Sequence, residues 1–389
     1  MATGTSGGLL DDPGGHAQSV FKHEILRQYL QPFISMLGSA SAGKRVVVLD
    51  GYAGRGRYDD GTPASAELIL RAIDNLSTTR RPAAFFAEKD RDNYGRLAAV
   101  VSEYASRDVP ARALYGSAED HLDTVLAAAA GVPLFMFLDP CGAGLSFHRL
   151  ASVLAGARRL VRPQTEVLLN FSADLSRRTA GVLKAGQADH PGVRLMDETC
   201  GGQWWRQTAL TARRDSARGT FEPVAAAVAE GYAMRLARAG SMMHVTVPVR
   251  RRLHHQPIYH LVFMTRSTYG LWVFADAIGK ARKAWLRQLG GLDDDAAEGM
   301  LFTPADDMAW LIEGEGERAT EMVVANLRGL IGRTGRVKLV DRALEVFGDA
   351  YGVATESTVT AALSRLVAAG ELVVYSKPKQ LRDRVVGRP

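Results

Sequence analysis

Short apolar runs alternate with longer amphipathic segments through the first half of the chain. The apolar runs predict buried strands at residues 45–50, 83–90, 111–118, 133–140 and 165–173. The segments between the first four runs are long enough for crossover helices. Strands joined by such helices predict an α/β fold with a parallel sheet that is covered on both faces.

Other patterns flank these runs. Apolar residues at helical spacing predict a leading helix from Val20 to Leu37, with a candidate bend at Pro32. Residues 242–251 and 259–267 predict a β-hairpin that closes one edge of the sheet. The irregular, arginine-rich residues 174–240 predict a helical insertion that faces the substrate.

The C-terminal part of the chain is organised differently. After a predicted linker at 291–315, residues 316–389 contain three helical patterns and then two apolar runs around a basic turn. This order predicts a winged helix-turn-helix domain. Lys377, Lys379, Arg382 and Arg384 of the turn would contact phosphates, whereas the third helix has few long side chains for reading bases. A winged helix used only for protein contacts explains the same pattern.

Composition narrows the class of protein. The 389 residues, 47% of them hydrophobic, are enough for more than one domain. The net charge of +6 fits a polyanionic partner and an arginine-rich solvated surface equally well. Cys141 and Cys200 are too few for a disulfide scaffold, and we expect no structural metal. Residues 1–18 predict a disordered tail, and no signal peptide or membrane-spanning run is apparent, so we expect a soluble, cytoplasmic protein without a membrane partner.

A glycine-rich stretch, VVVLDGYAGRGRYDDG at 46–61, directly follows the first strand. Glycines there allow a tight turn and the close approach of a ligand at the carboxyl edge, where open α/β sheets bind ligands. Glu88 ends the next strand, where an acid binds ribose hydroxyls in dinucleotide folds. The third glycine of the dinucleotide motif is missing from its place, and no P-loop is present. The structural alternatives are a strand-to-helix turn without a ligand and a solvated Glu88 that pairs with Lys89 or Arg91.

The D-G-x-A-G-x-G form resembles motif I of class I S-adenosylmethionine-dependent methyltransferases, and the later motifs of that class follow in order. The resemblance implies a Rossmann-like fold and S-adenosylmethionine as the cofactor. The implied cofactor residues are Asp50, Gly51, Gly54 and Gly56 for the amino-acid part, Glu88 for the ribose, Ser117 and Ala118 for the adenine, and in addition Lys89 and Asp139. FLDPCGAG resembles the fourth motif, which implies that Asp139 lies beside the transferred methyl group. Ser117 is equally suited to capping the following helix.

A closer resemblance covers most of residues 20–290. KHEILRQYL, VLDGYAGRGRYDDGTPAS, FLDPCG, LLNFS and YHLVFMTRSTYG are similar, in this order, to the three-Cys-motif partner (TcmP) family. The resemblance implies a methyltransferase domain at 19–290, a winged helix at 316–389 and a three-Cys-motif partner that looks like a radical S-adenosylmethionine enzyme. Cys141 stands where an aromatic residue is usual, which argues against methylation of a flipped base.

Asp139, Asn170 and Lys22 are the catalytic candidates. A carboxylate at the end of a buried strand needs a donor, such as a substrate, the cofactor ammonium or a lysine, unless it caps a helix. Asn170 ends the fifth strand and either binds a substrate or satisfies a turn. Lys22 would be solvated on its helix, and only the family resemblance gives it a role in substrate binding or closure over the cofactor.

Two functions are consistent with these features. The first is a methyltransferase that acts on a nucleic acid or a nucleotide-derived substrate. The second is a non-catalytic, methyltransferase-like partner subunit of a radical S-adenosylmethionine system. The acceptor atom and the oligomeric state do not follow from the sequence.

Overall fold

The computed structural model describes residues 17–140, 142–216, 221–294 and 304–389. Most of the predicted N-terminal tail, Cys141 and the middle of the predicted linker therefore lie outside the described residues. The described chain divides into two compact units. The first unit is Phe33–Arg266, and the second consists of residues 17–32 together with Ser267–Pro389.

The first unit contains one mixed seven-stranded sheet, whose strands are Arg45–Asp50 (β1), Arg81–Glu88 (β2), Ala111–Tyr115 (β3), Leu134–Leu138 (β4), Thr165–Ser172 (β5), Met243–Val249 (β6) and Tyr259–Thr265 (β7). Their order is β3-β2-β1-β4-β5-β7-β6, and β7 is antiparallel to both of its neighbours. The other neighbouring pairs are parallel. This mostly parallel sheet is consistent with the class I methyltransferase fold, and the strands predicted from the apolar runs are confirmed.

Helices precede and connect these strands. The leading helix is Ala17–Ala40 (α1), and the connections contain Ser65–Leu76 (α2), Arg91–Ala105 (α3), Ala118–Ala128 (α4) and Phe147–Ala155 (α5). Between β5 and β6 lie Ala173–Lys184 (α6), Pro191–Cys200 (α7), Trp204–Arg214 (α8) and Glu222–Ala239 (α9). The segment that the sequence predicted as a helical insertion is thus helical over most of its length.

One face of the sheet packs against α4 to α9 in a hydrophobic cluster. Alternate residues of β1 and β4, including Val47, Leu49, Leu134 and Met136, are buried there. Trp205 of α8 is completely buried in the same cluster, and its indole Nε1 donates to Asp197 Oδ1 at 2.8 Å. This hydrogen bond ties α8 to α7, and it satisfies the one polar atom of the Trp205 side chain.

The second unit also contains the helices Thr268–Asp294 (α10), Pro304–Thr334 (α11), Ala343–Phe347 (α12) and Glu356–Ala368 (α13). Its three short strands, Arg336–Lys338 (β8), Val373–Ser376 (β9) and Val385–Gly387 (β10), pair in the order β8-β10-β9. Residues 337–352, the second of the three helical patterns in the sequence, do not form one helix: they are divided into the end of β8, a 3-10 turn and α12, with a further 3-10 turn after it. Helices followed by a hairpin are present as expected, and the winged-helix assignment stays a prediction.

The predicted linker needs a correction where it is described. Residues 304–315 belong to α11. Arg282 of α10 makes two hydrogen bonds with the Glu315 carboxylate, at 2.6 and 2.7 Å, which fixes this part of α11 against α10. Among the described residues, none of the helices is both long enough and apolar enough to cross a membrane.

Candidate functional site

The glycine loop follows β1 in a conformation that requires its glycines. Gly54 and Gly56 have φ values of +59° and +80°, which L-residues rarely adopt. A Cβ atom on Gly51 would lie 2.8 Å from Leu138 Cδ2 and 3.1 Å from the Ala118 Cβ. A Cβ atom on Gly54 would meet nothing within 4 Å. The loop is therefore packed against β4 and α4 at Gly51 and open at Gly54.

Asp50 holds this loop from the end of β1. Its carboxylate is completely buried, and it accepts hydrogen bonds from the Tyr52 backbone N–H at 3.1 Å and from Ser65 Oγ at 2.7 Å. Asp50 thus joins β1 to the beginning of both the loop and α2. These hydrogen bonds support a role in shaping the glycine loop, and direct contact with a cofactor stays a prediction.

An ion-pair network around the buried Glu67 anchors the far end of the loop. Arg57 Nε and Nη2 donate to Glu67 at 2.6 and 3.0 Å, and Arg71 Nη2 donates to the same carboxylate at 3.0 Å. The Glu67 residue is 1% exposed. Burial by itself would raise the pKa of Glu67, but the hydrogen bonds from Arg57 and Arg71 bring it below its ordinary value. Arg57 therefore fixes the path of the chain between Gly56 and α2.

The RYDDGTPAS segment closes as a tight turn. The Tyr58 N–H donates to the Thr62 carbonyl at 2.9 Å, and the Thr62 N–H donates to Asp60 Oδ1 at 2.8 Å. Gly61 has a φ of +81° inside this turn. The segment is thus a self-contained loop beside the glycines.

Glu88 and Lys89 lie at the end of β2, next to the glycine loop. Glu88 is half-buried, and its Oε1 accepts from the Asp90 N–H at 2.7 Å. The Lys89 side chain is exposed. The Glu88 carboxylate is oriented by the backbone that follows it, so it can receive further donors in a fixed position.

Ser117 caps α4. Its Oγ accepts from the Asp120 N–H at 3.2 Å, and Asp120 Oδ2 accepts from the Ser117 N–H at 2.8 Å. These two hydrogen bonds form a capping box. Of the two roles that the sequence left open for Ser117, helix capping is present. Ala118 is buried beside Gly51.

Tyr115 ends β3, and sequence reasoning missed it. It pairs with Glu88 across the sheet, its residue is 54% exposed, and its ring lies 5.2 Å from that of Tyr94. An exposed aromatic ring at the carboxyl edge of a parallel sheet is a suitable surface for stacking a flat ligand. The feature of the sequence that could have identified Tyr115 was its position at the end of a strand.

The structure brings two of the three catalytic candidates together. Asp139 directly follows β4 and Asn170 is near the end of β5, and these two strands are parallel neighbours. Asn170 Nδ2 donates to Asp139 Oδ1 at 2.6 Å. Asn170 Oδ1 is buried and has no hydrogen-bond partner within the described chain. The pair thus presents a carbonyl oxygen whose direction is fixed by a carboxylate.

Tyr259 adds a third group on the neighbouring strand β7. It is opposite Ser172 of β5, and the residue is 6% exposed. Burial, followed by the negative charge of Asp139 and the nearby Tyr58, raises the pKa of Tyr259 well above its ordinary value. Tyr259 therefore stays a neutral phenol near Asp139.

A small cleft adjoins this pair on the side of the helical insertion. Its lining includes Pro140, Asn170 and Ser172 from the strand ends, with Met196 and Tyr232 from α7 and α9. Burial raises the pKa of the Tyr232 phenol, so its hydroxyl is also neutral. The insertion thus supplies part of the wall beside the candidate catalytic pair.

Lys22 belongs to the second unit, where it lies half-buried on α1. Its assignment to catalysis stays a prediction.

The presumed recognition helix α13 is covered at its first turn. The Glu356 N–H donates to Asp276 Oδ1 of α10 at 2.8 Å, and Thr355 and Thr358 are buried. A Cβ atom on Gly279 of α10 would lie 2.5 Å from the Ala354 carbonyl oxygen. Helix-turn-helix proteins read the major groove with the first residues of this helix. The packing of α10 therefore argues against base reading by α13.

Comparisons with known proteins give distant structural likenesses. No protein-family model and no curated protein sequence matches the chain. The small RNA methyltransferase HEN1 has 11% identity and a TM-score of 0.31, over 63% of this chain and 25% of that chain. This chain thus spans about a quarter of HEN1. The Streptomyces achromogenes O-methyltransferase TomG, in complex with SAM, has 13% identity and a TM-score of 0.30, over 66% of this chain and 89% of that chain. The plantazolicin methyltransferase BamL, in complex with SAH, has 11% identity and a TM-score of 0.28, over 65% and 95% of the two chains.

Proposed function

We propose that the protein is an S-adenosylmethionine-dependent methyltransferase. The proposal rests on one arrangement. The glycine loop, Glu88 and Asp139 stand at the ends of three adjacent strands, β1, β2 and β4, on one edge of the sheet. Open α/β sheets bind their ligands at this edge, and each group is suited to a different part of one extended cofactor.

The residues present fit this cofactor. The open space at Gly54 allows a ligand to approach the backbone of the loop. Glu88 is oriented to accept hydrogen bonds from ribose hydroxyls, and the exposed ring of Tyr115 can cover the adenine. When bound, the cofactor supplies an electrophilic methyl carbon. The part of Asp139 and Asn170 is to orient the acceptor, and the Asp139 carboxylate can receive its proton.

Membership of the three-Cys-motif partner family and a radical S-adenosylmethionine partner are proposals that rest on the sequence resemblance. A nucleic-acid acceptor is a further proposal. Its support is the exposed pair Lys377 and Lys379 between β9 and β10. Since the first turn of α13 is covered, these lysines would contact phosphates without reading sequence. Binding of labelled RNA and DNA should then weaken steeply with salt and become weaker in a Lys377→Gln, Lys379→Gln double variant. Binding of both nucleic acids that is unchanged by the double substitution would remove this support.

Calorimetry with S-adenosylmethionine and S-adenosylhomocysteine tests the cofactor. The Gly54→Val variant should bind neither compound, because its side chain would enter the open space beside the loop. Glu88→Ala should weaken both by about tenfold to a hundredfold, the loss expected for hydrogen bonds to a charged group. Gly95→Ala, on an open face of α3, is the matched control and should bind like the wild type. If the wild type binds neither compound, the proposed function is wrong.

Catalysis requires a second measurement. Transfer of label from S-adenosylmethionine to total nucleic acid should depend on Asp139 and disappear in Asp139→Ala. Tight cofactor binding without transfer to nucleic acid or to small molecules would favour the non-catalytic partner subunit.

A further inference from the structure

The amide group of Asn170 is held in one orientation. Its Nδ2 donates to Asp139 Oδ1 at 2.6 Å. A carboxylate oxygen accepts hydrogen bonds, so turning the amide around would place two acceptors against each other. Asn170 Oδ1 must therefore point away from Asp139.

The Oδ1 atom is buried, and nothing in the described parts of the chain donates to it. An amide oxygen that is buried without a donor destabilises the fold. Such an atom calls for an explanation, and a bound donor is one. Here the atom lies at the carboxyl edge of the sheet, where Asn170 lines the cleft between the strand ends and the insertion. A ligand bound in this cleft would lie against Asn170.

We infer that Asn170 Oδ1 accepts a hydrogen bond from the amino group that receives the methyl, and that the acceptor is therefore an amine. This inference rests on the proposed function. The amine lone pair forms the new N–C bond while the C–S bond breaks, and the C–S electron pair remains on sulfur. The methylated cation then loses its proton to Asp139 or to water.

The chemistry of Asn170 Oδ1 favours an amine over a hydroxyl as the group that it contacts. A hydroxyl must lose its proton as the O–C bond forms, so it needs a base in direct contact. An amide oxygen accepts a hydrogen bond but takes up no proton. An amine loses its proton after the bond has formed, so a group that only orients the N–H is sufficient. Asn170 fits the second requirement.

Sinefungin provides a probe that does not require the natural acceptor. It carries an amino group where the cofactor carries its methyl sulfonium, whereas S-adenosylhomocysteine has no donor there. The ratio of the two affinities, measured by calorimetry, therefore shows whether the protein accepts a hydrogen bond beside the methyl position. We expect the wild type to prefer sinefungin, and Asn170→Ala to lower its affinity by about tenfold or more, with S-adenosylhomocysteine binding changed less than about twofold. Asn75→Ala, the same substitution on an exposed part of α2, is the control.

The Asn170→Asp variant separates hydrogen-bond acceptance from a structural role. It keeps an oxygen at the same place, and one proton shared with Asp139 restores the hydrogen bond that Nδ2 makes. If residue 170 accepts a hydrogen bond from the sinefungin amino group, this variant should retain the preference for sinefungin. A purely structural role for the amide predicts that the preference is lost.

The outcomes separate the two proposals. Binding of neither compound by the wild type would overturn the proposed function and this inference with it. Binding of both compounds with the same ratio in Asn170→Ala and the wild type would overturn this inference alone. If Asn170→Ala does not fold, as judged by its thermal transition, loss of the preference in Asn170→Asp decides against the inference and its retention decides in favour.

Discussion

Replacing Glu67 with glutamine should destabilise the first unit and loosen the glycine loop. The substitution keeps the shape of the side chain, but it removes the charge that pairs with Arg57 at 2.6 Å and with Arg71 at 3.0 Å. It also places the amide NH₂ of glutamine against a guanidinium group, which has only hydrogen-bond donors. The loop would then lose its main attachment to α2, because Arg57 follows Gly56 directly.

The magnitude follows from burial. Removing one partner of a buried ion pair costs about 3–5 kcal/mol. Arg57 is 33% exposed at its side chain and keeps Glu103 at 3.0 Å, so some of that loss is recovered. We expect a decrease of about 2 kcal/mol in the free energy of unfolding, or about 4–8 °C in Tm for a unit of this size. The control Glu103→Gln removes a half-exposed partner and should cost well under about 1 kcal/mol.

The effect should depend on pH with a definite sign. The pKa of Glu67 is lower in the folded state than its ordinary value of 4.5, so the ion pair contributes fully above that value. The contribution is lost as the pH falls through the folded pKa. Urea unfolding of wild type and Glu67→Gln should therefore differ most near neutral pH and converge in acid. Two results would refute the reasoning. One is an equal loss of unfolding free energy in Glu67→Gln and Glu103→Gln at pH 7. The other is a difference between the wild type and Glu67→Gln that does not diminish in acid.

Two further changes test other features. Ser117→Ala should cost about 1 kcal/mol through loss of the α4 cap, measured by urea unfolding; affinity for S-adenosylhomocysteine should stay within about twofold if capping is the only role of Ser117, and a larger loss would restore the adenine contact. Gly279→Ala should destabilise the second unit by about 1–3 kcal/mol, because its Cβ would overlap the Ala354 carbonyl, whereas Gly291→Ala on the exposed part of α10 should not destabilise it. Equal thermal transitions for these two variants would contradict the close packing of α10 and α13.

Much of the sheet could be predicted from the sequence because a strand buried on both faces is a continuous apolar run. β1 and β4 have this form, and their neighbours follow from right-handed crossovers. The proximity of Asp139 and Asn170 was accessible by the same logic, because both stand at the ends of parallel strands.

Tyr259 was not accessible in this way. Its place beside Asp139 depends on the register of an antiparallel strand that returns to β5 after a long insertion. Local periodicity does not determine which residue of such a strand faces which neighbour, since register depends on tertiary packing. The sequence offered only a tyrosine at the beginning of an apolar run.

The linker prediction failed for a different reason. Gly314, Asp306 and Asp307 lower the intrinsic helix propensity of residues 304–315. Tertiary contacts outweigh that propensity, because the Glu315 carboxylate pairs with Arg282 on α10. Ion pairs between residues far apart in sequence are invisible to a local pattern.

The second unit is discontinuous, and this affects how the chain can fold during synthesis. Residues 17–32 leave the ribosome first, but the residues they pack with come last: Tyr29 contacts Phe274, with ring centroids 5.4 Å apart. At translation rates of about 5–20 residues per second, synthesis of Phe33–Arg266 takes about 10 to 50 s. The first unit can fold within that interval. The early segment must stay available until α10 emerges, so the two units are completed in a fixed order.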